Sequence, residues 1–388
     1  MNILVISEYW PTSANPISGI FVLEQVREYK RQGHSVKVIA PLYHSHFQPG
    51  RRQPVGTSEF EVYAPRIPIP PGIVRLPQSI SARLFVRSLR AWAAVVDRVV
   101  EEDIKRGWIE AVHINGLSFG GLSLSLIPAL NRVKKIVTVH GEDPLLTRIA
   151  NTTELGRVVS QAAGSIDILA LCGSTLFSYL KVIGVSCDHV VVVPNGTHIP
   201  RCEARAVDEV VPHIVSIANL QENKNIATVM RALASIRDRH NFRCTIVGDG
   251  DQRKSLERLV DRLGIRGCVE FVGRIEHQQT LKILEGANVF CLPSKKEAFG
   301  IVFLEAMARR VPVIGSRGTG AADIFSDGVE GFLVDSEDVS QVSEAISALL
   351  ADPERSRAMG NSGYMRAQSF SWSANVSRYS KLFSDSAI

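Results

Sequence analysis

Short, nearly continuous apolar runs alternate with helical patterns along this 388-residue chain, and the alternation occurs twice. In the first half "NILVIS", "SVKVIA", "AVHI", "KIVTVH", "IDILAL" and "HVVVVP" read as strands, with helices between them over segments such as 21–31, 79–105 and 175–183. In the second half "HIVSIA", "RCTIVG", "VEFVG", "NVFCLP", "VPVIG" and "GFLV" read as strands, and helices start near Ile226, Arg253, His277, Val302, Ala321 and Val339. Strands buried on both faces of a parallel sheet lose the polar alternation of a half-solvated strand, and these runs show little of it. The pattern predicts an α/β protein with two parallel-sheet units. Polar, proline-bounded 195–212 reads as the linker, giving domains of 1–203 and 204–370 and a terminal amphipathic helix within 371–388.

The length agrees with two cores rather than one. No apolar run is long enough for a membrane span, and "MNILVISEYWP" reaches Glu8 too early for a secretory leader, so a cytoplasmic location is expected. The six cysteines have neither metal nor redox spacing and read as reduced thiols. Residues 1–203 carry 21 Lys and Arg against 16 Asp and Glu, while the remainder carries 23 of each, so the net charge of +5 lies wholly in the first half. There Arg83, Arg87 and Arg90 fall at helical spacing beside Phe85 and Trp92. Such a helix reads either as a solvated face or as a surface for anionic lipid. No nucleic-acid motif accompanies the charge.

The most informative chemistry lies in "KKEAFGIVFLEAMARRVPVIGSRGTGAADIFSDGVEGFLVD". Glu297 and Glu305 bracket a glycine-containing turn that runs into a helix placed over 303–309. The amides of Phe299, Gly300 and Ile301 would head that helix, where its dipole favours an anion. Carboxylates suit hydroxyl groups, so a diphosphate flanked by polyols, as in a nucleotide sugar, fits the pattern. A glycosidase acid pair does not fit, because eight residues of helix rise about 12 Å, against the roughly 5–9.5 Å such pairs need.

This segment resembles the E-x7-E signature of retaining glycosyltransferases of family 4, which implies the GT-B fold, two Rossmann-like domains facing across a cleft. The resemblance implies that Glu297 meets the hydroxyls of the transferred sugar and Glu305 those of the ribose. Further positions extend it. Gly19, in "EYWPTSANPISGIF", matches a glycine facing the donor diphosphate. His140, in "IVTVHGEDP", matches the strand end that approaches the transferred sugar, with Asp143 on the same loop an acceptor candidate. Lys224, in "SIANLQENKN", matches a lysine that holds the diphosphate, whereas Asn219 stands where the family commonly has arginine. Gly318 and Gly320 fall near the site, with Asp323 where Glu is commoner, and the last helix is expected to return to the first domain. The implied activity is metal-independent, retaining transfer of a sugar from a nucleotide donor to a saccharide or lipid-linked acceptor, in polysaccharide or glycolipid biosynthesis, with no cofactor. A sugar-nucleotide epimerase and a non-catalytic sugar-nucleotide-binding subunit are the rivals.

Other constellations carry less. Asp249 and Asp251 form a D-x-D, but they follow a Rossmann strand in a glycine-shaped turn and are not expected to hold metal. His113 ends a strand beside glycines that serve packing. His44 and His46 lack a third ligand.

Overall fold

The computed structural model describes residues 1–13, 15, 18–40, 42–43, 54–67, 73–201 and 211–385. The chain forms two compact units, residues 1–194 with 372–388, and residues 195–371. The sequence boundary at 203/204, like His44, His46 and Cys202, falls outside the described residues.

In the first unit the strands are β1 (Asn2–Ser7), β2 (Ser35–Ile39), β3 (Leu42–Tyr43), β4 (Glu61–Tyr63), β5 (Arg66–Ile67), β6 (Ala111–Asn115), β7 (Lys134–Val139), β8 (Ile168–Leu171) and β9 (Val190–Val192). Seven of them build one parallel sheet in the order β4-β2-β1-β6-β7-β8-β9, and β3 pairs with β5. The helices are α1 (Ile20–Arg31), α2 (Gln78–Lys105), α3 (Pro144–Ile149), α4 (Thr153–Ala163) and α5 (Leu176–Ile183). Edge strand β4 was not legible in the sequence: its three residues are exposed or half-exposed and make no apolar run.

The spacing along α2 points its aromatic residues inward. Phe85, Leu89, Trp92 and Val96 form one buried stripe, with Phe85 and Trp92 each 1% exposed. This corrects the reading of these two rings as lipid contacts, because the core has already taken them. Arg83, Arg87 and Arg90 lie exposed on the same helix, and Arg83 pairs with Glu154 at 3.2 Å.

The second unit contains β10 (His213–Ile217), β11 (Arg243–Val247), β12 (Val269–Gly273), β13 (Val289–Cys291), β14 (Val313–Ser316) and β15 (Gly331–Val334), a parallel sheet in the order β12-β11-β10-β13-β14-β15. Its helices are α6 (Ile226–Ile236), α7 (Arg253–Arg262), α8 (His277–Glu285), α9 (Ile301–Met307), α10 (Ala321–Ile324), α11 (Val339–Ala351) and α12 (Pro353–Ala367). The Asp338 side chain caps α11 by accepting from the amides of Ser340 and Gln341, and Asp352 caps α12 through Arg355. Helix α12 escaped the sequence reading because only Met359, Gly360, Gly363 and Ala367 are buried along its 15 residues.

The last helix, α13 (Trp372–Ser384), belongs to the first unit, where Val376, Tyr379 and Phe383 share a core with Val22, Val26 and Tyr29 of α1. Polar contacts fix its register. Gln25 donates to Asn375 Oδ1 at 2.7 Å, and Asn375 donates to the Pro194 carbonyl at 2.7 Å. A buried chain runs from Tyr29 OH to His113 Nδ1 (3.0 Å), from His113 Nε2 to Thr138 Oγ1 (2.8 Å), and on to Tyr379 OH (2.8 Å). Burial pushes the His113 pKa down to about 3, with the His140 charge adding to the effect. A neutral imidazole with both nitrogens engaged is a satisfied core group, which is the structural role His113 plays.

Candidate active site

Both sheets reverse their strand order at the first strand of the unit: β1 lies between β2 and β6, and β10 between β11 and β13. Loops leaving the carboxyl ends of the strands at such a point splay apart and leave a crevice for ligands. The candidate residues collect there in each unit.

In the second unit, the loop after β10 closes in a short turn over Glu222–Lys224 and enters α6 through Asn225, whose φ is +57°. The Asn225 amide donates to the carbonyls of Pro293 (3.2 Å) and Ser336, and Lys295 N–H donates to the Asn223 carbonyl at 2.8 Å. These bonds bind the β10 loop to the loops leaving β13 and β15. As a result Lys224 Nζ donates to Glu297 Oε2 at 2.7 Å, with the two side chains 19% and 15% exposed. Glu297 is also held at its carbonyl, which accepts from Gly320 N–H at 2.8 Å. A Cβ on Gly320 would lie 2.5 Å from Phe299 Cα, so this approach requires glycine.

The turn into α9 passes through Gly300, at φ +94°. Helix α9 begins at Ile301 and ends at Met307, two residues earlier at each end than the sequence suggested. Glu297 therefore sits on the preceding loop rather than on the helix, and the helical-rise argument about its separation from Glu305 does not hold. The amides of Phe299, Gly300 and Ile301 do head the helix, where first-turn groups lack intrahelical acceptors. Glu305, in the middle of α9, accepts from His277 Nε2 at 2.6 Å.

Asn219 stands exposed on the β10 loop, its carbonyl accepting from Gln221 N–H at 2.7 Å. Gly318 has φ +70°, and Asp323 lies in α10. Asp249 Oδ1 accepts from Gly250 N–H at 2.8 Å, and Asp251 is exposed. No group of three or more His, Cys, Asp or Glu is placed to hold a metal ion among the described residues.

In the first unit, Gly19 precedes α1 with φ +75°, and a Cβ there would lie 2.4 Å from the Tyr9 carbonyl carbon and 2.5 Å from Trp10 N. The glycine is thus demanded by packing against the first loop. His140 follows β7 and is half-buried; its Nε2 lies 2.7 Å from Asn115 Oδ1 at the end of β6. Its ring packs on Phe21 at 4.6 Å between centroids and edge-on to Tyr9 at 6.0 Å. Asp143 is committed to capping α3: it accepts from the amides of Leu145 (2.7 Å) and Leu146 (3.2 Å) and from Ser118 Oγ.

Glu8, which sequence reading treated only as a break in an apolar run, proves to belong to this edge. Its Oε1 accepts from the amides of Phe119 (2.6 Å) and Gly120 (2.9 Å), 111 and 112 residues away. Gly116 leaves room for it, since a Cβ there would lie 2.4 Å from Glu8 Cδ. The residue keeps part of its surface in solvent, but the carboxyl group is enclosed. Desolvation pushes its pKa up to about 8; the Asp143 charge raises it further, and the two amides and Ser118 oppose. Position at the end of β1 was the available signal, though its weight depends on strand order.

Two Rossmann-like α/β units, each with loops leaving the strand-order reversal of its sheet, define the GT-B class. The whole chain is similar to solved structures of that fold: sucrose-phosphate synthase from Thermosynechococcus elongatus (TM-score 0.70, 21% identity, 99% of this chain and 98% of that one) and Anabaena HepE in complex with UDP and glucose (0.72, 16%, 99% and 100%). Residues 203–366 match the family of group 1 glycosyl transferases and residues 18–201 that of Glycosyltransferase Family 4. The chain belongs to the group 1, family 4 glycosyltransferases. Among curated relatives it is 31% identical over 248 residues to the GDP-mannose-dependent alpha-(1-6)-phosphatidylinositol monomannoside mannosyltransferase of Mycolicibacterium smegmatis, covering 62% of this chain and 64% of the relative. It is 31% identical over 177 residues to the D-inositol 3-phosphate glycosyltransferase of Corynebacterium jeikeium, covering 44% and 42%. The matches thus span less than two thirds of the length of either relative.

Proposed function

We propose that the protein transfers a sugar from a nucleotide-diphosphate donor to a saccharide or lipid-linked acceptor, with retention of anomeric configuration and without a metal or other cofactor. The observation that carries this reading is the Lys224–Glu297 pair at 2.7 Å, directly before the N-terminus of α9. It sets a cation for a diphosphate beside an acceptor for sugar hydroxyls, next to amides that favour an anion. A lysine ammonium has three N–H donors, so Lys224 can keep Glu297 and still reach phosphate. Glu305 is read as the ribose contact and His140 as the group facing the transferred sugar, with Gly19 and Asn219 at the diphosphate. A relative named as GDP-mannose-dependent and a neighbour crystallised with UDP and glucose support a nucleotide-sugar donor.

In the step we infer, the bond from the anomeric carbon to the leaving phosphate oxygen breaks as the acceptor oxygen adds on the same face. The acceptor's proton passes to the leaving phosphate. Lys224 and the amides at 299–301 take up the charge that develops on the diphosphate, and such preorganised groups act in the transition state without reorganising. No helix among the described residues is long and apolar enough to cross a membrane. The reading places the protein in the cytoplasm, meeting an anionic membrane face through exposed arginines of α2 when the acceptor is a lipid.

The test is incubation with UDP- and GDP-sugars and candidate acceptors, following nucleotide release and the anomeric configuration of the product by NMR. Retained configuration in a new glycoside is expected. An epimerised nucleotide sugar would replace the reading with an epimerase, and tight donor binding without turnover on any acceptor with a binding subunit.

A further inference from the structure

We infer that His277 is a positioning residue for nucleotide recognition, holding the Glu305 carboxylate in the orientation that meets the ribose hydroxyls. This rests on the assignment of Glu305 to the ribose made above. His277 is the first residue of α8, and that turn is fixed by a capping box: Gln279 Oε1 accepts from Glu276 N–H at 3.2 Å, and the Glu276 side chain accepts from the Gln279 N–H. From this anchored position His277 Nε2 reaches Glu305 Oε1 at 2.6 Å, with the side chains 26% and 13% exposed. Arg309, two residues past the end of α9, donates to the Glu305 carbonyl at 3.1 Å and lies 3.6 Å from Glu285, so its charge is directed elsewhere.

The terminal torsion of a glutamate is broad, and an untethered carboxylate samples many orientations of its plane. A ribose diol needs two acceptor directions at once. An ionised carboxylate offers about four lone-pair sites. One N–H on Oε1 uses one of them, fixes the plane, and leaves Oε2 and a second Oε1 site for hydroxyls. Holding the group ready lowers the ordering cost of binding. His277 escaped the sequence reading because nothing in "FVGRIEH" shows that the start of α8 faces Glu305, 28 residues on.

A tie between two helices would serve stability alone and would not change which sugar ring the nucleotide carries. The test therefore measures ribose discrimination by calorimetric titration of the full chain with UDP and 2′-deoxy-UDP, and with GDP and 2′-deoxy-GDP, using the pair that binds more tightly. His277→Phe keeps the ring volume and removes the N–H; His277→Gln keeps an N–H at similar reach. A hydrogen bond to a charged group is worth about a tenfold change in affinity or more, so His277→Phe is expected to weaken the ribonucleotide about tenfold. Binding of the deoxynucleotide should stay within about twofold, and His277→Gln should restore most of the difference. An unchanged ribose-to-deoxyribose ratio in His277→Phe, with only the melting temperature lowered, overturns the inference. Glu305→Ala separates the two levels: if it collapses the ratio while His277→Phe does not, only the role of His277 fails. If Glu305→Ala also leaves the ratio intact, the ribose assignment fails and the inference with it.

Discussion

Lys224 and Glu297 are 73 residues apart in sequence, yet they form an ion pair of 2.7 Å because their loops leave β10 and β13, adjacent strands on either side of the sheet's order reversal. Neither residue needs a helix or strand of its own to be precise. Bonds from the Asn225 side-chain amide to the Pro293 carbonyl and from Lys295 N–H to the Asn223 carbonyl bind the two loops together, and Gly320 N–H holds the Glu297 carbonyl from the loop after β14. A donor diphosphate and its sugar would meet a cation and a carboxylate already set against each other.

Replacing either partner is expected to depress kcat by about 10²–10³, the loss seen when one preorganised electrostatic group is removed. Because the two side chains act as a unit, the Lys224→Ala, Glu297→Ala double variant should be little worse than the poorer single variant. Lys224→Ala leaves a mostly buried carboxylate without its cation, so the double variant should recover part of the lost melting temperature. Multiplicative losses in kcat with no recovery of stability would mean that the two residues work independently.

Apart from edge strand β4, the strands of both sheets were legible because parallel strands buried on two faces leave apolar runs, as "ILAL" and "HIVSI" do for β8 and β10. Lys224, Glu297 and the amides heading α9 were legible because each is local to one loop. What escaped depends on three-dimensional adjacency. Glu8 and Asn115 gain their meaning from β1 lying beside β6, and His277 from the packing of α8 near α9. Along α2 the period was read correctly but the direction was not. Helical spacing shows that Phe85 and Trp92 share a face, and only the fold shows that this face points into the core.

Transfer is expected to persist in excess EDTA, and Asp251→Ala to retain most activity. Asp249 already accepts a local amide and Asp251 is exposed, so neither is aimed at a shared ligand. Activity lost in EDTA and restored by magnesium or manganese would return the D-x-D to the mechanism.

Glu8 should give stability a falling slope with pH between about 4.5 and 8. Its folded pKa, about 8, lies above the ordinary 4.5, so between these values the folded state holds a proton that the unfolded chain has lost. That contribution is fully present below about 4.5 and is lost as pH rises through about 8, at up to about 1.4 kcal/mol per unit. Glu8→Gln keeps an acceptor for the Phe119 and Gly120 amides but cannot ionise. Melting curves of the two proteins should lie close near pH 4.5, diverge progressively between about pH 5 and 8 with wild type falling faster, and run parallel above that. His113 acts at the opposite end: its pKa, lowered to about 3, makes stability decline as pH falls below about 6.5. Parallel curves for wild type and Glu8→Gln from pH 5 to 9.5 would show that Glu8 is ionised in the folded state like any surface glutamate.

The exposed arginines of α2 are expected to bind anionic lipid through charge alone. Net charge is confined to residues 1–203, and Arg83, Arg87 and Arg90 project to solvent while Phe85 and Trp92 are taken by the core. The pairing of Arg83 with Glu154 is weak competition, since the Arg83 side chain is 75% exposed. Each basic residue near an anionic surface contributes about 1 kcal/mol, so converting all three to glutamate should weaken binding by about a hundredfold or more. With no ring inserted into the bilayer, salt should erase the wild-type affinity too, because the field is screened over about 8–10 Å near physiological ionic strength. Sedimentation with phosphatidylserine-containing and pure phosphatidylcholine vesicles at 50 and 300 mM salt tests this. Wild type should sediment only with the anionic vesicles at low salt, and the triple variant with neither. Equal, low binding of both proteins to both vesicles would leave these arginines as a solvated helix face, and binding that survives high salt would point to apolar contacts elsewhere on the chain.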